Sequence, residues 1–417
     1  MGLSTSDSYA TTYAKATAIL KGFQGLGANT VRMPFNAATT SGSWWGSYTG
    51  ALDAAAALGM NVVVAPWLQN GTVSNTTAFY AMWDVMINKY VGNNHFYFEI
   101  MNEPWGMTAA AEDNFSATWV AHYFTVPMGR ILVPGAYSTE NLCTVGADSR
   151  LNGTLLSIHK YTLGGETHPT EAAWITAINQ NICGYASRAV FTEFGVPMNT
   201  GVNYDGPRDG TNNVSYLYAI TDNSRNLGMG TIIWVGVKGA TQTAGPGPCF
   251  NASCAITSLQ GSGTNLSLTV NNRSGLDRLQ YGWGGSGPAG GTVLRSSASN
   301  RCLDVIGAST ASGTQTEIWD CNGGANQSFA LNAAKELVVY GSQCLDASGG
   351  GTTAGTKVVI AACTGASHQQ WTLNAGGTVT NGASGLCLDV TGAATAAGTL
   401  VELWGCNGGS NQLWTRQ

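Results

Sequence analysis

Charge is scarce in this chain: Asp, Glu, Lys and Arg make up only 10% of its 417 residues. The net charge of -5 leaves no basic stripe, so neither nucleic acid nor an anionic membrane is expected as a partner. No run of about 18 apolar residues is present that would span a bilayer. The opening MGLSTSDSYA has no basic start and no apolar core, so it does not read as a leader peptide, and export would rest on a leader already removed. A GxGxxG fingerprint after the first strand is also missing, which removes the main argument for a dinucleotide fold. No Cys and His residues fall at zinc-ligand spacing, and no metal or cofactor is expected.

What is plentiful is Gly, with 56 residues, along with Ser, Thr and Asn. Hydroxyls and amides in place of ions are common on proteins outside the cell. The length points to two domains. Ten cysteines bear on the compartment. Cys302 with Cys321, Cys344 with Cys363, and Cys387 with Cys406 share one spacing of 19 residues, which reads as three disulfides and an oxidising, extracellular setting. Cys249 with Cys254 reads as a small loop staple, and Cys143 with Cys183 is the remaining pairing. Asn-x-Ser/Thr sequons such as those at Asn70, Asn75 and Asn114 are close to what chance supplies in this composition.

Through the first two-thirds, apolar β-branched runs alternate with helical patterns. Strands are expected at Thr30–Phe35, Asn61–Pro66, Phe96–Met101, Arg130–Pro134, Leu155–Tyr161, Ala189–Phe194 and Thr231–Val237. Several are apolar on both faces, as strands of a helix-covered parallel sheet are. Tyr9, Tyr13, Ala16, Leu20 and Phe23 recur at helical spacing before the first strand. Leu26-Gly27, Leu58-Gly59 and Leu227-Gly228 each precede a strand, with Gly suited to the left-handed residue that ends a helix. This repetition implies a (β/α)8 barrel, an α/β fold. Only seven strands are visible, however. The first is missing or reduced to Met1–Leu3, so either the N-terminus is truncated or the barrel closes in an unusual way.

Residues that end barrel strands face one shared cleft. Here they are Arg32, Asn102 and Glu103, His159 and Tyr161, Glu193, and Trp234, with Trp44, Trp45, Trp67 and Trp105 in the loops that follow. Flat aromatics suit the C–H faces of sugar rings, although core packing is the expected fate of two of these five tryptophans. Cleaving a glycosidic bond needs a proton for the leaving oxygen and a carboxylate facing the anomeric carbon. Carboxyl groups about 5–5.5 Å apart allow direct attack and retention of configuration. Glu103 and Glu193 fit those roles. Asn102 would bond the sugar 2-hydroxyl, Arg32 would keep Glu193 ionised, Tyr161 would orient Glu193, and His159 would bond the acid or the sugar.

Asn102-Glu103-Pro104, with Arg32-Met33-Pro34, His159-Lys160-Tyr161, Glu193-Phe194-Gly195 and Trp234, resembles glycoside hydrolase family five. The resemblance implies a retaining (β/α)8 glycosidase whose acid/base and nucleophile glutamates end strands four and seven. Glu103 is then the acid/base and Glu193 the nucleophile. Arg32, Asn102, His159, Tyr161 and Trp234 match other family positions, and Trp67 and Trp105 are candidate substrate-binding aromatics. Many members carry a His near the end of strand three, where this chain has Ala65-Pro66-Trp67. That departure blurs the substrate more than the mechanism.

Residues 284–291, GGSGPAGG, read as a flexible linker between a catalytic domain at 1–283 and a third segment at 292–417. Three copies follow at a period of about 42: RCLDVIG…TEIWDCNGGANQSF, QCLDASG…KVVIAACTGASHQQW and LCLDVTG…VELWGCNGGSNQLW. Three strand-rich copies suggest an all-β trefoil, each copy burying its apolar face against the others. The Cys-Leu-Asp opening and Gln-x-Trp close resemble the ricin-type lectin trefoil, also classed as carbohydrate-binding module family thirteen. That likeness implies sugar pockets built from Asp304, Glu317, Trp319, Asn326 and Gln327 in the first copy. The third copy supplies Asp389, Glu402, Trp404, Asn411 and Gln412. The second keeps Asp346 and Gln369 but has Ala361 for the stacking Trp and His368 for Asn, so its site is expected to be weak or dead.

The expectation is a secreted monomer, a retaining β-glycoside hydrolase acting on a polysaccharide or oligosaccharide and held to it by its sugar-binding module. An exo-acting β-glycosidase of the same family and a non-catalytic lectin with a barrel scaffold are the alternatives.

Overall fold

The computed structural model describes residues 2–67, 73–162, 166–204, 208–237, 254–284, 293–321, 325–332, 334–340 and 343–416. Cys249, Asn70 and all of the Gly-rich linker except Gly284 lie outside the described residues, and with them the Cys249–Cys254 staple. The chain divides into two compact units, residues 1–202 with 211–272, and residues 203–210 with 273–417.

The first unit is built on seven parallel strands paired in sequence order. They are β1 (Thr30–Phe35), β2 (Asn61–Pro66), β3 (Phe96–Glu99), β4 (Ile131–Pro134), β5 (Leu155–Tyr161), β6 (Ala189–Gly195) and β7 (Gly230–Ile233). Most residues of β2, β4 and β6 are buried, as a sheet covered on both faces requires. The Leu-Gly signature marks helix ends as expected. Gly27, Gly59 and Gly228 all have positive φ, following the helices Tyr9–Gly25, Trp45–Ala57 and Asn212–Leu227. Thr108, Thr170 and Thr211 cap the starts of three helices through their side chains, each satisfying an orphan N–H.

Two strands stop earlier than their sequence patterns suggest, and β4 starts one residue later, at Ile131. β3 stops at Glu99, although Ile100 N–H still bonds Leu132 O (3.1 Å) and Asn102 N–H bonds Pro66 O (3.3 Å). β7 stops at Ile233, after which Trp234 N–H bonds Phe194 O (2.8 Å). In both, the apolar run continues past the point where the backbone leaves the regular ladder to build the cleft. Past β7, Val237 bridges Thr257 in parallel. Thr257 opens β8 (Thr257–Ser262), which forms an antiparallel hairpin with β9 (Asn265–Val270). Leu268 of β9 meets the helix Tyr9–Gly25 at Gly22. The architecture is a seven-stranded, barrel-like parallel sheet with helices.

The second unit contains the β-trefoil. Its core repeats threefold: Leu303, Leu345 and Leu388 follow the first cysteine of each copy, and Ile318, Ile360 and Leu403 face them from the paired strand. Phe329, Trp371 and Trp414 close the copies. Both tryptophans bury their rings and donate Nε1–H to a backbone carbonyl, Trp371 to Leu345 (2.8 Å) and Trp414 to Leu388 (3.0 Å). A buried indole needs such an acceptor. The disulfides Cys302–Cys321, Cys344–Cys363 and Cys387–Cys406 fasten the three copies, and Cys143–Cys183 ties the first unit.

Candidate functional site

A register shift sets up the cleft. Ile158 of β5 pairs with Phe191 of β6, but the next residue, His159, pairs with Glu193. Thr192 is the extra residue, and this bulge brings two successive β6 side chains into one cluster, as bulges beside functional sites often do. Thr192 Oγ1 lies 3.0 Å from His159 Nε2 and donates to Glu99 Oε1 at 3.0 Å. Glu193 is bonded by Arg32 Nη1 and by the Tyr161 hydroxyl, the latter at 2.9 Å.

Arg32, rising from β1, organises three acceptors at once. Besides Glu193, its Nε donates to Glu99 Oε2 (2.5 Å) and its Nη2 to Asn102 Oδ1 (2.8 Å). The bond to Asn102 fixes that amide with its oxygen toward the guanidinium, leaving its N–H groups as donors. On the other side, His159 Nδ1 lies 2.9 Å from Glu103 Oε1. One oxygen of Glu103, one nitrogen of His159 and one oxygen of Glu193 all lie within 4.8 Å of one another. The two carboxyls differ in exposure: the Glu103 side chain is 38% exposed and that of Glu193 is 5%. Glu103 has a left-handed backbone, φ 34°, uncommon for a side chain of this kind. Strain of that sort clusters at functional sites.

At Arg32, Glu99 and His159 burial and charge pull against each other, and charge wins. Burial pushes the Glu99 carboxyl up, but Arg32 and His159 outweigh it and hold it at about 2. Burial likewise opposes a charge on His159. The carboxylates of Glu193, Glu103 and Glu99 more than compensate, raising it to about 9. Arg32 is pushed up by Glu99 and Glu193 against its own desolvation. At neutral pH His159 is therefore an imidazolium, with Nδ1–H donating to Glu103 and Nε2–H to Thr192. Tyr161 stays protonated, its pKa raised by burial and then by Glu193 and Glu103.

In the trefoil, Asp304 accepts from Asn326 Nδ2 (2.8 Å) and Gln327 Nε2 (2.7 Å), and it pairs across the ladder with Glu317. Two residues on, Trp319 is 43% exposed. The third copy repeats this: Asp389 accepts from Asn411 (2.9 Å) and Gln412 (2.7 Å), faces Glu402, and stands near a 45% exposed Trp404. In the second copy Gln369 still bonds Asp346 (2.7 Å), and His368 Nδ1 lies 3.1 Å from it. There the ladder partner of Asp346 is Val359, and Ala361 holds the aromatic's position.

Family comparisons agree with both geometries. A model described as ricin-type β-trefoil lectin domain matches residues 290–415, and one described as cellulase (glycosyl hydrolase family 5) matches residues 1–236. The chain belongs to glycosyl hydrolase family 5. This family 5 member is a glycoside hydrolase joined to a ricin-type lectin domain. Among solved structures, it is similar to an endo-β-1,4-glucanase from Xanthomonas axonopodis pv. citri carrying three substitutions. That match has 16% identity and a TM-score of 0.46, covering 64% of this chain and 90% of the other. An exo-β-1,3-galactanase from Clostridium thermocellum matches at 24% identity and TM-score 0.29, over 30% of this chain and 29% of that one. A designed threefold-symmetric protein matches at 30% identity and TM-score 0.29, over 30% of this chain and 96% of its own.

Of the residues singled out from sequence in this family 5 hydrolase, Arg32, Asn102, Glu103, His159, Tyr161 and Glu193 come together in one hydrogen-bonded cluster. Trp234 stands edge-on to Tyr161, with ring centroids 6.4 Å apart. Trp67 and Trp105 are exposed, and Trp44 and Trp45 are half-buried. None of the five tryptophans is buried, against the expectation that two would be core. Trp44 and Trp45 pack on Tyr48, at 5.0 and 6.4 Å between centroids, in a layer that solvent still reaches. Sequence reading passed over Glu99, Ser157 and Thr192. Ser157 Oγ donates to Glu99 Oε1 at 2.6 Å, so Glu99 is fully enclosed by donors. A carboxylate inside an otherwise apolar strand was the available signal, because such a charge needs a buried partner.

Proposed function

We propose that this protein is a secreted, retaining β-glycanase that cleaves a β-linked polysaccharide of the cellulose, β-glucan, mannan, xylan or galactan kind. The observation that carries the reading is the pair of glutamates with oxygens within 4.8 Å of each other, one exposed and one buried among donors. That spacing supports direct attack rather than the wider gap that would admit a water between them.

Glu193 is the nucleophile in this scheme. Arg32 and Tyr161 bond its two oxygens and aim the carboxylate, and one oxygen bonds to the anomeric carbon. As that bond forms, the bond from the anomeric carbon to the leaving oxygen breaks, and the electron pair goes to the oxygen. Glu103 supplies that oxygen with a proton. Water then adds to the glycosyl-enzyme, giving its proton to Glu103 and displacing Glu193. Asn102, its amide turned by Arg32, donates to the sugar 2-hydroxyl.

The lectin domain serves as an anchor with two working pockets, around Asp304 with Trp319 and Asp389 with Trp404. Two weak sites on one module hold a long polymer through effective concentration. Four disulfides between described residues and a composition poor in ions support an extracellular setting. Among the described residues no helix is long and apolar enough to cross a membrane.

The test is a polysaccharide panel with product analysis, run on wild type and Glu193→Ala, with the anomer first released followed by NMR. Retained configuration and loss of at least a thousandfold in rate in the variant are expected. An inverted product, or a variant as active as wild type, rejects the mechanism.

A further inference from the structure

The three copies of the lectin domain differ in how the charge of their carboxylates is answered. In the first copy, buried Asp304 stands directly opposite half-buried Glu317 in the ladder. Side chains so placed lie about 5 Å apart, where like charges repel. The partners of Asp304 are neutral amides, and both bond Oδ2, which leaves Oδ1 for a ligand. The third copy repeats the arrangement with Asp389 opposite Glu402.

In two copies the chain brings its own cation. His368 Nδ1 lies 3.1 Å from Asp346 in the second. In the third, the exposed Lys357 stands opposite Glu402 in a backbone bridge from the neighbouring copy. The corresponding neighbour of Glu317 is Leu400, which is apolar. Nothing positive acts on the first pair: burial pushes both carboxyls up, Asp304 pushes Glu317 further, and only the amides of Gln327 and Asn326 oppose this at Asp304. The second copy shows that the frame does not need such a repulsive pair, since Asp346 there faces Val359.

The uncompensated pair also shares an opening with the aromatic ring. Gly398 of the third copy donates its N–H to Ile318 O (2.9 Å), between Glu317 and Trp319. A Cβ at Gly398 would lie 3.6 Å from both Glu317 Oε2 and Trp319 Cζ3. Glycine at that position leaves the carboxylate and the ring edge uncovered side by side.

We infer that the first pocket selects an amino sugar, whose ring stacks on Trp319 while its protonated amino group sits between Asp304 and Glu317. The inference rests on the anchor reading and names the ligand of one of its pockets. An ammonium donates three hydrogen bonds, each strengthened by charge, and cancels the repulsion that a neutral hydroxyl leaves in place. Its charge is also attracted to the face of the indole. The third pocket, with Lys357 beside Glu402, discriminates less.

Calorimetry on the full chain reads the first pocket when the protein carries Glu193→Ala, to stop turnover, and Trp404→Ala, to disable the third pocket. A chain with Trp319→Ala added supplies the background from sugar bound elsewhere. The probes are cellotriose and the β-1,4 trimers of glucosamine and N-acetylglucosamine, which differ only in the group on C2. Methyl galactoside and methyl galactosaminide repeat the comparison for the epimer at C4. In at least one series the amino sugar is expected to bind about tenfold tighter than its neutral counterparts at low salt, a lead that shrinks as salt is raised.

Leu400→Lys, which installs the cation of the third copy at a 39% exposed position, should remove most of that lead and leave the neutral sugar unchanged. Glu317→Gln should do the same, and if it misfolds the surface variant Leu400→Lys decides. Neutral sugars bound as tightly as amino sugars in both series, or a lead that survives Leu400→Lys, overturn the charge selection and leave the anchor reading standing. No binding of any probe above the Trp319→Ala background overturns the pocket as an anchor and the inference with it.

Discussion

Replacing Glu99 with Gln tests the charge arrangement under the cleft without touching either proposed acid. The substitution keeps the shape and an acceptor oxygen for Ser157 and Thr192 but removes the negative charge from Arg32. A carboxyl held at about 2 in place of its ordinary 4.5 contributes on the order of 3 kcal/mol at neutral pH. Taking one partner from a buried ion pair costs about 3–5 kcal/mol, which agrees. For a unit of this size, the loss corresponds to a Tm lower by roughly 6–12 °C. The sign with pH is fixed by the depressed pKa. The contribution is complete above 4.5 and disappears as pH falls through about 2, so at pH 3 the gap should shrink to on the order of 1 kcal/mol. Thermal unfolding followed by near-UV circular dichroism at pH 7 and pH 3 measures both values. A Glu99→Gln protein within about 1 kcal/mol of wild type at pH 7, or a gap unchanged at pH 3, would refute the argument.

His159 gives the opposite pH dependence. Its pKa is raised from 6.5 to about 9, so its contribution is complete below 6.5 and vanishes as pH rises through 9. His159→Gln should therefore be less stable than wild type by on the order of 3 kcal/mol at pH 6 and indistinguishable from it by pH 10, read from denaturant unfolding. In the lectin domain, Trp319→Ala and Trp404→Ala should each weaken binding to insoluble polysaccharide roughly tenfold, and the double variant should fall to background. Asp346→Ala should bind like wild type in the same depletion assay.

Much of the cleft was legible because its residues sit in short, ordered segments: Arg-Met-Pro, Asn-Glu-Pro, His-Lys-Tyr and Glu-Phe-Gly each lie at or just past the end of a strand. The Leu-Gly signature gave the strand starts for a local reason, since positive φ at the helix end is written in one residue. What escaped depended on pairing between distant strands. The bulge at Thr192 exists only in the register of β5 against β6, so nothing in VFTEFG reveals that Thr192 and Glu193 join one cluster. Glu99 looked like part of an apolar run because its partner, Arg32, is 67 residues away. The left-handed backbone at Tyr137, Ser138 and Thr139 was equally hidden, because Ala-Tyr-Ser-Thr carries no glycine and the Pro104 carbonyl that accepts Ser138 N–H (3.1 Å) comes from another element. The expectation that two of the five tryptophans would be core overestimated their burial, because a rim layer and a core layer have the same composition.

The middle copy of the lectin domain has lost its ring and its second carboxylate, yet its frame is intact. The strands Gln343–Ala347 and Val358–Ala362 remain paired over five rungs, Gln369 still braces Asp346, and Cys344 is still clasped to Cys363. None of this framework depends on a bound sugar, since the hairpin is held by its own core residues, Leu345 and Ile360. On the proposed reading, the copy is an idle socket whose wiring survives. Val359→Glu and Ala361→Trp would re-equip it, and an enzyme gripping its polymer at three points instead of two would dwell longer on each chain and travel along it more slowly.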